Sequence, residues 1–383
     1  MPEIQMVDLK RQYQKIKPEV DAAIEHILAS AAFINGPAVK QFAHDLEQYL
    51  GVKHVIPCAN GTDALQIALM GLGLQPGDEV ITPSFTYIAT VEVVGLLRLT
   101  PVFVDVDKDT FNMNTKSLRK AVTPKTKAII PVHLYGQCAN MEEILAIAQE
   151  NNIAVIEDNA QAIGGDYTFS DGRKKKTGTM GIIGCTSFFP SKNLGAYGDG
   201  GAIFTDDDTL FEKMSMIANH GQKTRYYHEM VGCNSRLDTI QAAVLGIKLK
   251  HLDAYCEARR TAAGYYDRAF AGCEWITTPF RAPYAKHVFH QYTLQLADGV
   301  DRDKVQALLA EKHIPSMIYY PVPCHKQKMF TNPGIEPVDL PNTDYLTPRV
   351  ISLPVHTELT EAELKLVSDA VLEAVAEAVT VKA

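Results

Sequence analysis

Short apolar runs alternate with amphipathic stretches from residue 55 onward. Residues 55–58, 79–83, 100–104, 128–132, 154–157, 185–189 and 201–205 each hold an apolar run of strand length. Between them, residues 64–72, 87–97, 115–121 and 141–151 repeat apolar positions at the spacing of a helix face. Strands separated in this way predict an α/β fold with a mostly parallel seven-stranded sheet covered by helices. Ahead of it, Ile16, Val20, Ile24 and Ile27 predict a helix over 8–30, and Val39, Phe42, Leu46 and Leu50 predict a second. Residues 236–255 read as one long helix bearing Leu237, Ile240, Val244, Ile247 and Leu252. Residues 166–181, with Arg173 to Lys176 in a row, read as a solvated loop tip. Residues 218–232 are polar and aromatic and read as a loop near a site entrance.

Around residue 255 the pattern changes. A helix over 256–271 leads to strand-like residues 290–297, a helix over 302–312 and strand-like residues 314–320. A last amphipathic helix shows Leu364, Val367, Val371 and Val375. This is a smaller α+β unit, so the chain divides into a large domain, 1–254, and a small C-terminal domain, 255–383.

The composition narrows the function classes. The 383 residues are 46% hydrophobic, enough for a sizeable core. Lys plus Arg is 37 and Asp plus Glu is 45, a formal charge of -8, which argues against nucleic acid as a partner. The most apolar region, 91–106, is broken by Glu92, Arg98 and Asp105 and is too short to span a membrane. Residues 1–13 have no apolar core of the kind a signal peptide carries. The seven cysteines are scattered, odd in number and without a CxxC pair, so neither a disulfide framework nor a zinc site is predicted. Together these features predict a cytoplasmic protein with no metal.

Candidate chemistry centres on Lys192. It follows the apolar run 185–189 and Pro190, and precedes a glycine-dense turn containing Gly195, Gly198, Gly200 and Gly201. Burial lowers a lysine's pKa, and the neutral amine is the nucleophile that forms a Schiff base. The bland alternative is a surface lysine on a hairpin. Asp158 lies at the carboxyl end of the run 154–157, where open α/β sheets hold ligands. Pyridoxal phosphate requires a carboxylate at such a point to keep its ring nitrogen protonated; a helix N-cap is the alternative for Asp158. Thr62 and Asp63 lie in a turn between the run 55–58 and a helix, where free backbone N–H groups suit a phosphate. That turn also fits an ordinary capped strand-to-helix connection.

These elements, in this order, resemble the DegT/StrS type of sugar-nucleotide aminotransferase in the aspartate aminotransferase superfamily. The resemblance is carried by residues 58–65, 76–83, 157–161, 187–192 and 234–238, and it extends from Asp8 to Pro354. It implies the type I fold of pyridoxal-phosphate enzymes and pyridoxal 5'-phosphate as cofactor. It implies Lys192 as the Schiff-base lysine and general base, Asp158 on the pyridinium nitrogen and Gln161 on the 3-hydroxyl. Thr62 and Asp63 would hold the phosphate through backbone N–H groups, and Ser187 through its hydroxyl. Asn234 matches an asparagine that reaches the phosphate from the neighbouring subunit, so a homodimer with shared sites is implied. Tyr87 matches an aromatic residue stacked on the cofactor ring, with Phe85 as its competitor.

The subgroup most resembled aminates UDP-2-acetamido-2-deoxy-3-oxoglucuronate with L-glutamate as donor, releasing 2-oxoglutarate, for a surface polysaccharide. There the arginine matching Arg236 meets the sugar carboxylate, as an Arg fork suits; capping or pairing within its own helix is the alternative. Tyr319 stands before Tyr320 where that subgroup has a histidine, and His325 follows nearby as a further candidate for substrate contact. Other 3- or 4-keto UDP- or dTDP-sugars are the alternative substrates. A related dehydratase branch replaces the lysine with histidine, which Lys192 argues against. A non-catalytic regulator on the same fold is a further alternative. A nicotinamide dehydrogenase is disfavoured, because no G-x-G-x-x-G follows the first strand.

Overall fold

Seven strands pair in one sheet in a computed structural model describing residues 4–331 and 338–379. Their order across the sheet is His54–Cys58, Gly201–Thr205, Ile183–Ser187, Ala154–Asp158, Thr126–Ile129, Glu79–Pro83 and Thr100–Val104. Gly201–Thr205 runs antiparallel to both neighbours, and every other pairing is parallel. The sheet is therefore mostly parallel, as its near-continuous apolar strands predict. Helices Gly61–Leu72 and Asp208–Ala218 pack Ala64, Leu65, Ala68, Met214 and Ile217 onto it with Ile56, Ile156, Ile183 and Ile203. Elsewhere on the sheet, Met141–Glu150 contributes Ile144 and Ile147 to a core with Ile81, Val104 and Ile129.

Several boundaries differ from the expected ones. The strand expected at 128–132 ends at Ile129, because Pro131 has no N–H to extend the ladder. Beyond it, the Ile130 N–H still reaches Ile81 O at 2.8 Å, Pro131 O accepts the Asp158 N–H at 2.9 Å, and Val132 bridges Asp158. The expected strand 185–189 is Ile183–Ser187. The helix expected over 236–255 is two helices, Thr239–Leu249 and Leu252–Ala269. Leu249 and Leu252 both face the core, so the apolar spacing runs on while the backbone breaks at Lys250 and His251. Residues 234–238 lie outside the helix because Ser235 Oγ accepts the Ala59 N–H at 3.0 Å and the Thr239 N–H meets Phe33 O at 3.0 Å.

The expected loop 166–181 contains a hairpin, Asp166–Thr168 with Lys174–Lys176, on which Ala285–Lys286 also pairs. Lys176 meets Asp166 at 2.9 Å, while Lys174 and Lys175 are exposed. Residues 218–232 hold a small hairpin of Gln222–Thr224 and Tyr227–His228. No strand forms over 314–320; Met317 bridges Ser352, and the strand is Val350–Leu353, paired with Tyr292–Leu296.

The helix Leu252–Ala269 crosses the expected division at 254/255. Its first turns place Leu252 and Cys256 in the core beside the large sheet. Further on, Ala262, Ala263 and Tyr266 enter the C-terminal core with Leu294, Leu353 and Val371. Ile4 belongs to that second core too, and Arg11 Nη2 meets Glu363 Oε1 at 2.8 Å. The start of the chain is thus fastened to its C-terminal unit. No helix among the described residues is long and apolar enough to cross a membrane. The described residues hold no cluster of three or more His, Cys, Asp or Glu side chains suited to a metal ion.

Candidate active site

The loop after Ser187 is fixed along its length. Phe188 N–H reaches Gly200 O at 2.7 Å, Ala196 N–H reaches Phe188 O at 2.8 Å, and Asn193 Nδ2 donates to Val288 O at 2.9 Å. The buried Lys248 ammonium donates to Gly195 O at 2.8 Å and sits over the Tyr197 ring. This frame presents Lys192, whose Nζ lies 3.4 Å from Nε2 of His290. Burial lowers the Lys192 pKa to about 8, and the attraction of Asp158 opposes the shift. The amine is a partly deprotonated base near neutrality, not a solvated cation.

Asp158 ends the strand Ala154–Asp158 and is 5% exposed. Its Oδ2 accepts the Thr90 hydroxyl at 2.8 Å and its Oδ1 accepts the Ala160 N–H at 3.1 Å. Burial raises its pKa, while those two donors and Lys192 lower it. No ion pair reaches it among the described residues, so a buried carboxylate is left for a cation to approach. Its neighbour Glu157 is committed elsewhere, to His133 Nε2 at 2.8 Å and to the N–H groups of Gly178 and Gly181.

The helix Gly61–Leu72 points its first N–H groups at the same edge of the sheet. Asn60 caps it, and its Oδ1 takes the Asp63 N–H at 2.8 Å. The Asp63 N–H, expected to meet a phosphate, is thus taken by Asn60, while the N–H groups of Gly61 and Thr62 have no partner within the helix. Backbone packs tightly here. A Cβ on Gly61 would stand 2.7 Å from Ser187 Cβ, and one on Gly201 would stand 2.4 Å from Asn60 O. The two glycines bring helix start, Ser187 and the antiparallel strand together. Ser187 Oγ accepts the Phe189 N–H at 3.2 Å.

Gln161 is buried, not the exposed glutamine of an ordinary helix. Its Oε1 accepts the Tyr135 N–H at 2.8 Å and its Nε2 donates to Tyr320 Oη at 3.2 Å. Tyr135 Oη donates to Tyr319 O, and the Tyr319–Tyr320 peptide is cis. Tyr87 is 55% exposed with its ring centroid 6.1 Å from that of Tyr320, whereas Phe85 is buried against Phe111. Of the two aromatic candidates, only Tyr87 is open to a ligand.

Three candidates stand apart from this cluster. Asn234 is exposed and its backbone bridges Asn219. Arg236 lies before the helix it was expected to occupy, and its guanidinium has no hydrogen bond or ion pair among the described residues. His325 Nδ1 meets Ser84 Oγ at 2.7 Å and its Nε2 is 3.7 Å from Asp344. The Ser84 contact ties two segments of the chain together. Sequence reasoning missed His290, Thr90, Tyr135 and Asn60. Asn60 was findable, as an Asn before Gly-Thr-Asp and an apolar helix is a capping signal. The other three arrive from distant segments and carry no local signal.

Residues 14–372 match the DegT/DnrJ/EryC1/StrS aminotransferase family. The chain belongs to this family. A "UDP-2-acetamido-2-deoxy-3-oxo-D-glucuronate aminotransferase" of Pseudomonas aeruginosa is 46% identical over 364 residues, 95% of this chain and 98% of its own. A "Pleiotropic regulatory protein" of Geobacillus stearothermophilus is 45% identical over 372 residues, 97% of this chain and 98% of its own. The crystal structure of a family member from Brucella abortus superposes with a TM-score of 0.91 at 41% identity, covering 97% of this chain and 99% of that one. The family consists of pyridoxal-phosphate-dependent transaminases, and this chain is one of them. The residues present fit that cofactor: unpartnered N–H groups at a helix start, glycines that bring that start against Ser187, a buried carboxylate without an ion pair and a lysine of lowered pKa.

Proposed function

We propose that this protein transfers an amino group from L-glutamate to a keto-sugar nucleotide, UDP-2-acetamido-2-deoxy-3-oxoglucuronate, as a cytoplasmic homodimer. The observation that carries the reaction type is the lowered Lys192 amine facing the electrostatic field of the buried Asp158 carboxylate. The substrate rests on the Pseudomonas aeruginosa relative's name and on the unpaired Arg236 guanidinium, which suits the C6 carboxylate of a uronic acid. The Geobacillus relative's name favours a regulatory reading, but the Lys192 and Asp158 arrangement gives a regulator nothing it needs. Shared sites are supported by the exposure of Asn234 and by the hairpin before it, which exposes Tyr226, Tyr227 and Val231.

Bound pyridoxal phosphate supplies an electron sink that makes the hydrogen on an amine-bearing carbon acidic. Asp158, its carboxylate fixed by hydrogen bonds from Thr90 and Ala160, would keep the ring nitrogen protonated. The N–H groups of Gly61 and Thr62, with the Ser187 hydroxyl, would hold the phosphate. Tyr87, exposed beside Tyr320, and Gln161, braced by Tyr135 and Tyr320, would help to hold the cofactor. Lys192 Nζ accepts the carbon-bound proton from glutamate and redelivers one to the product carbon. A pKa of about 8 leaves a useful fraction of neutral base near neutral pH. Asn234 completes the phosphate contacts of the partner's site.

The test is a visible spectrum of the purified protein. We expect cofactor absorbance that glutamate bleaches, and that the 3-oxoglucuronate nucleotide restores as aminated sugar forms. Bleaching without restoration by this sugar would move the substrate to another keto-sugar nucleotide. No visible band, even with added cofactor, would overturn the reading.

A further inference from the structure

His290 stands outside every role described above, yet among the described residues it is the side chain within hydrogen-bond distance of the reacting amine. Its Nε2 lies 3.4 Å from Lys192 Nζ, and the residue is 5% exposed. The position is held rather than incidental. Arg259, 2% exposed, reaches across from the helix Leu252–Ala269 and its Nη1 donates to Phe289 O, His290 O and Val355 O at 3.3, 3.3 and 2.7 Å. The Gln291 N–H, next in the chain, donates to Tyr135 O at 3.2 Å. The same segment is thereby tied to the residue that braces Gln161. Three elements converge to aim one imidazole nitrogen at one amine.

The other ring nitrogen sharpens the argument. His290 Nδ1 is buried with no hydrogen-bond partner. A structural histidine in a core normally has both nitrogens satisfied, because an unmet polar atom there is costly. His325 and His356 also leave one nitrogen without a hydrogen-bond partner; what sets His290 apart is that its other nitrogen faces Lys192. The charged groups facing the pair are Asp158 on the Lys192 side and Arg259 on the His290 side. Burial, Lys192 and Arg259 all hold the imidazole uncharged. An uncharged imidazole can accept a hydrogen bond from an ammonium without competing for its charge.

We propose that His290 is a positioning residue for Lys192: when the amine is free and carries the proton taken from substrate, Nε2 of the neutral imidazole accepts one of its N–H bonds and holds it in place. The inference deepens the aminotransferase reading and rests on it for its purpose. Proton balance is simple. The carbon–hydrogen bond gives its proton to Lys192, His290 accepts a hydrogen bond but no proton, and Lys192 gives the proton on.

The experiment uses the full-length apoprotein, so it stands whether or not the proposed substrate is right. Acetylation of Lys192 by acetic anhydride, followed by mass spectrometry across pH, reads the protonation midpoint of that one amine. Removing an acceptor destabilises the ammonium, so His290→Phe should move the midpoint down by about one pH unit, the size expected for a hydrogen bond to a charged group. His290→Gln, which keeps an acceptor, should remain within a few tenths of the wild type. Thermal melts of each variant establish that the chain is folded. A midpoint unchanged in His290→Phe would overturn the proposal. So would an upward shift, which would mean that the ring only excludes water. Failure of glutamate to bleach the holoenzyme, with the midpoints behaving as expected, would instead count against the aminotransferase reading alone.

Discussion

Gly61 and Ser187 approach so closely that no β-carbon fits between them: one placed on Gly61 would lie 2.7 Å from that of Ser187. The contact joins a helix start to the end of a central strand, where the proposed phosphate cradle lies. Gly61→Ala should force the two apart, at a cost of about 1–3 kcal/mol for an overpacked site. We expect a lower thermal midpoint and cofactor affinity weakened by tenfold or more. Fluorescence titration of the apoprotein with pyridoxal phosphate measures the second. Unchanged affinity would place the phosphate elsewhere.

Asp158→Asn keeps groups able to bond Thr90 and the Ala160 N–H, so the fold should tolerate it. It removes the anion that a protonated ring nitrogen needs. We expect the transamination rate to fall by at least about a hundredfold, the scale of one preorganised electrostatic contact. Single-turnover bleaching with glutamate checks this. A rate within a few-fold of wild type would deny the carboxylate its role.

Lys248 gives a pH signature. Burial lowers its pKa from 10.5 to about 8, so the folded state binds this proton less readily than the unfolded state. The resulting penalty is fully present below about pH 8 and fades as pH rises toward 10.5. Lys248→Met removes the penalty along with the tether to Gly195. Its stability relative to wild type should therefore drop by roughly 2–3 kcal/mol between pH 7 and pH 10. Paired urea unfolding curves at the two pH values give the difference directly. A difference independent of pH would mean that the ammonium is not desolvated as its burial indicates.

Complementation tests the shared site. Lys192→Ala and Asn234→Ala chains should each be inactive or severely impaired as homodimers. Mixed after verified subunit exchange, they should recover up to about one quarter of wild-type activity, since half the dimers are mixed and each holds one intact site. No recovery would make Asn234 a residue of its own subunit's site, or of none.

The sheet was legible because its central strands, such as Ala154–Asp158 and Gly201–Thr205, are almost wholly buried and read as near-continuous apolar runs. Lys192, Asp158 and Thr62 were legible because each lies at a junction where a strand stops, and strand ends are where such sheets hold ligands. What sequence could not show was contact between distant segments. Nothing local links Thr90 to Asp158 or His290 to Lys192; both pairings exist only once the sheet is assembled. For Asp63 the sequence left a phosphate contact and an ordinary capped turn both open; in the fold its N–H goes to Asn60 Oδ1. The helix break at Lys250 and His251 was hidden by apolar spacing that runs straight through it.

The helix Leu252–Ala269 belongs at one end to the core beside the large sheet and at the other to the C-terminal core. The two halves of the chain therefore share one helix between their cores. A fragment stopping at 254 would lose Cys256 from beneath the sheet, and one starting at 255 would lack Ile4 and the Arg11 clasp on Glu363. Equilibrium unfolding should consequently proceed as one cooperative transition, with a protease cut inside this helix releasing both cores at once.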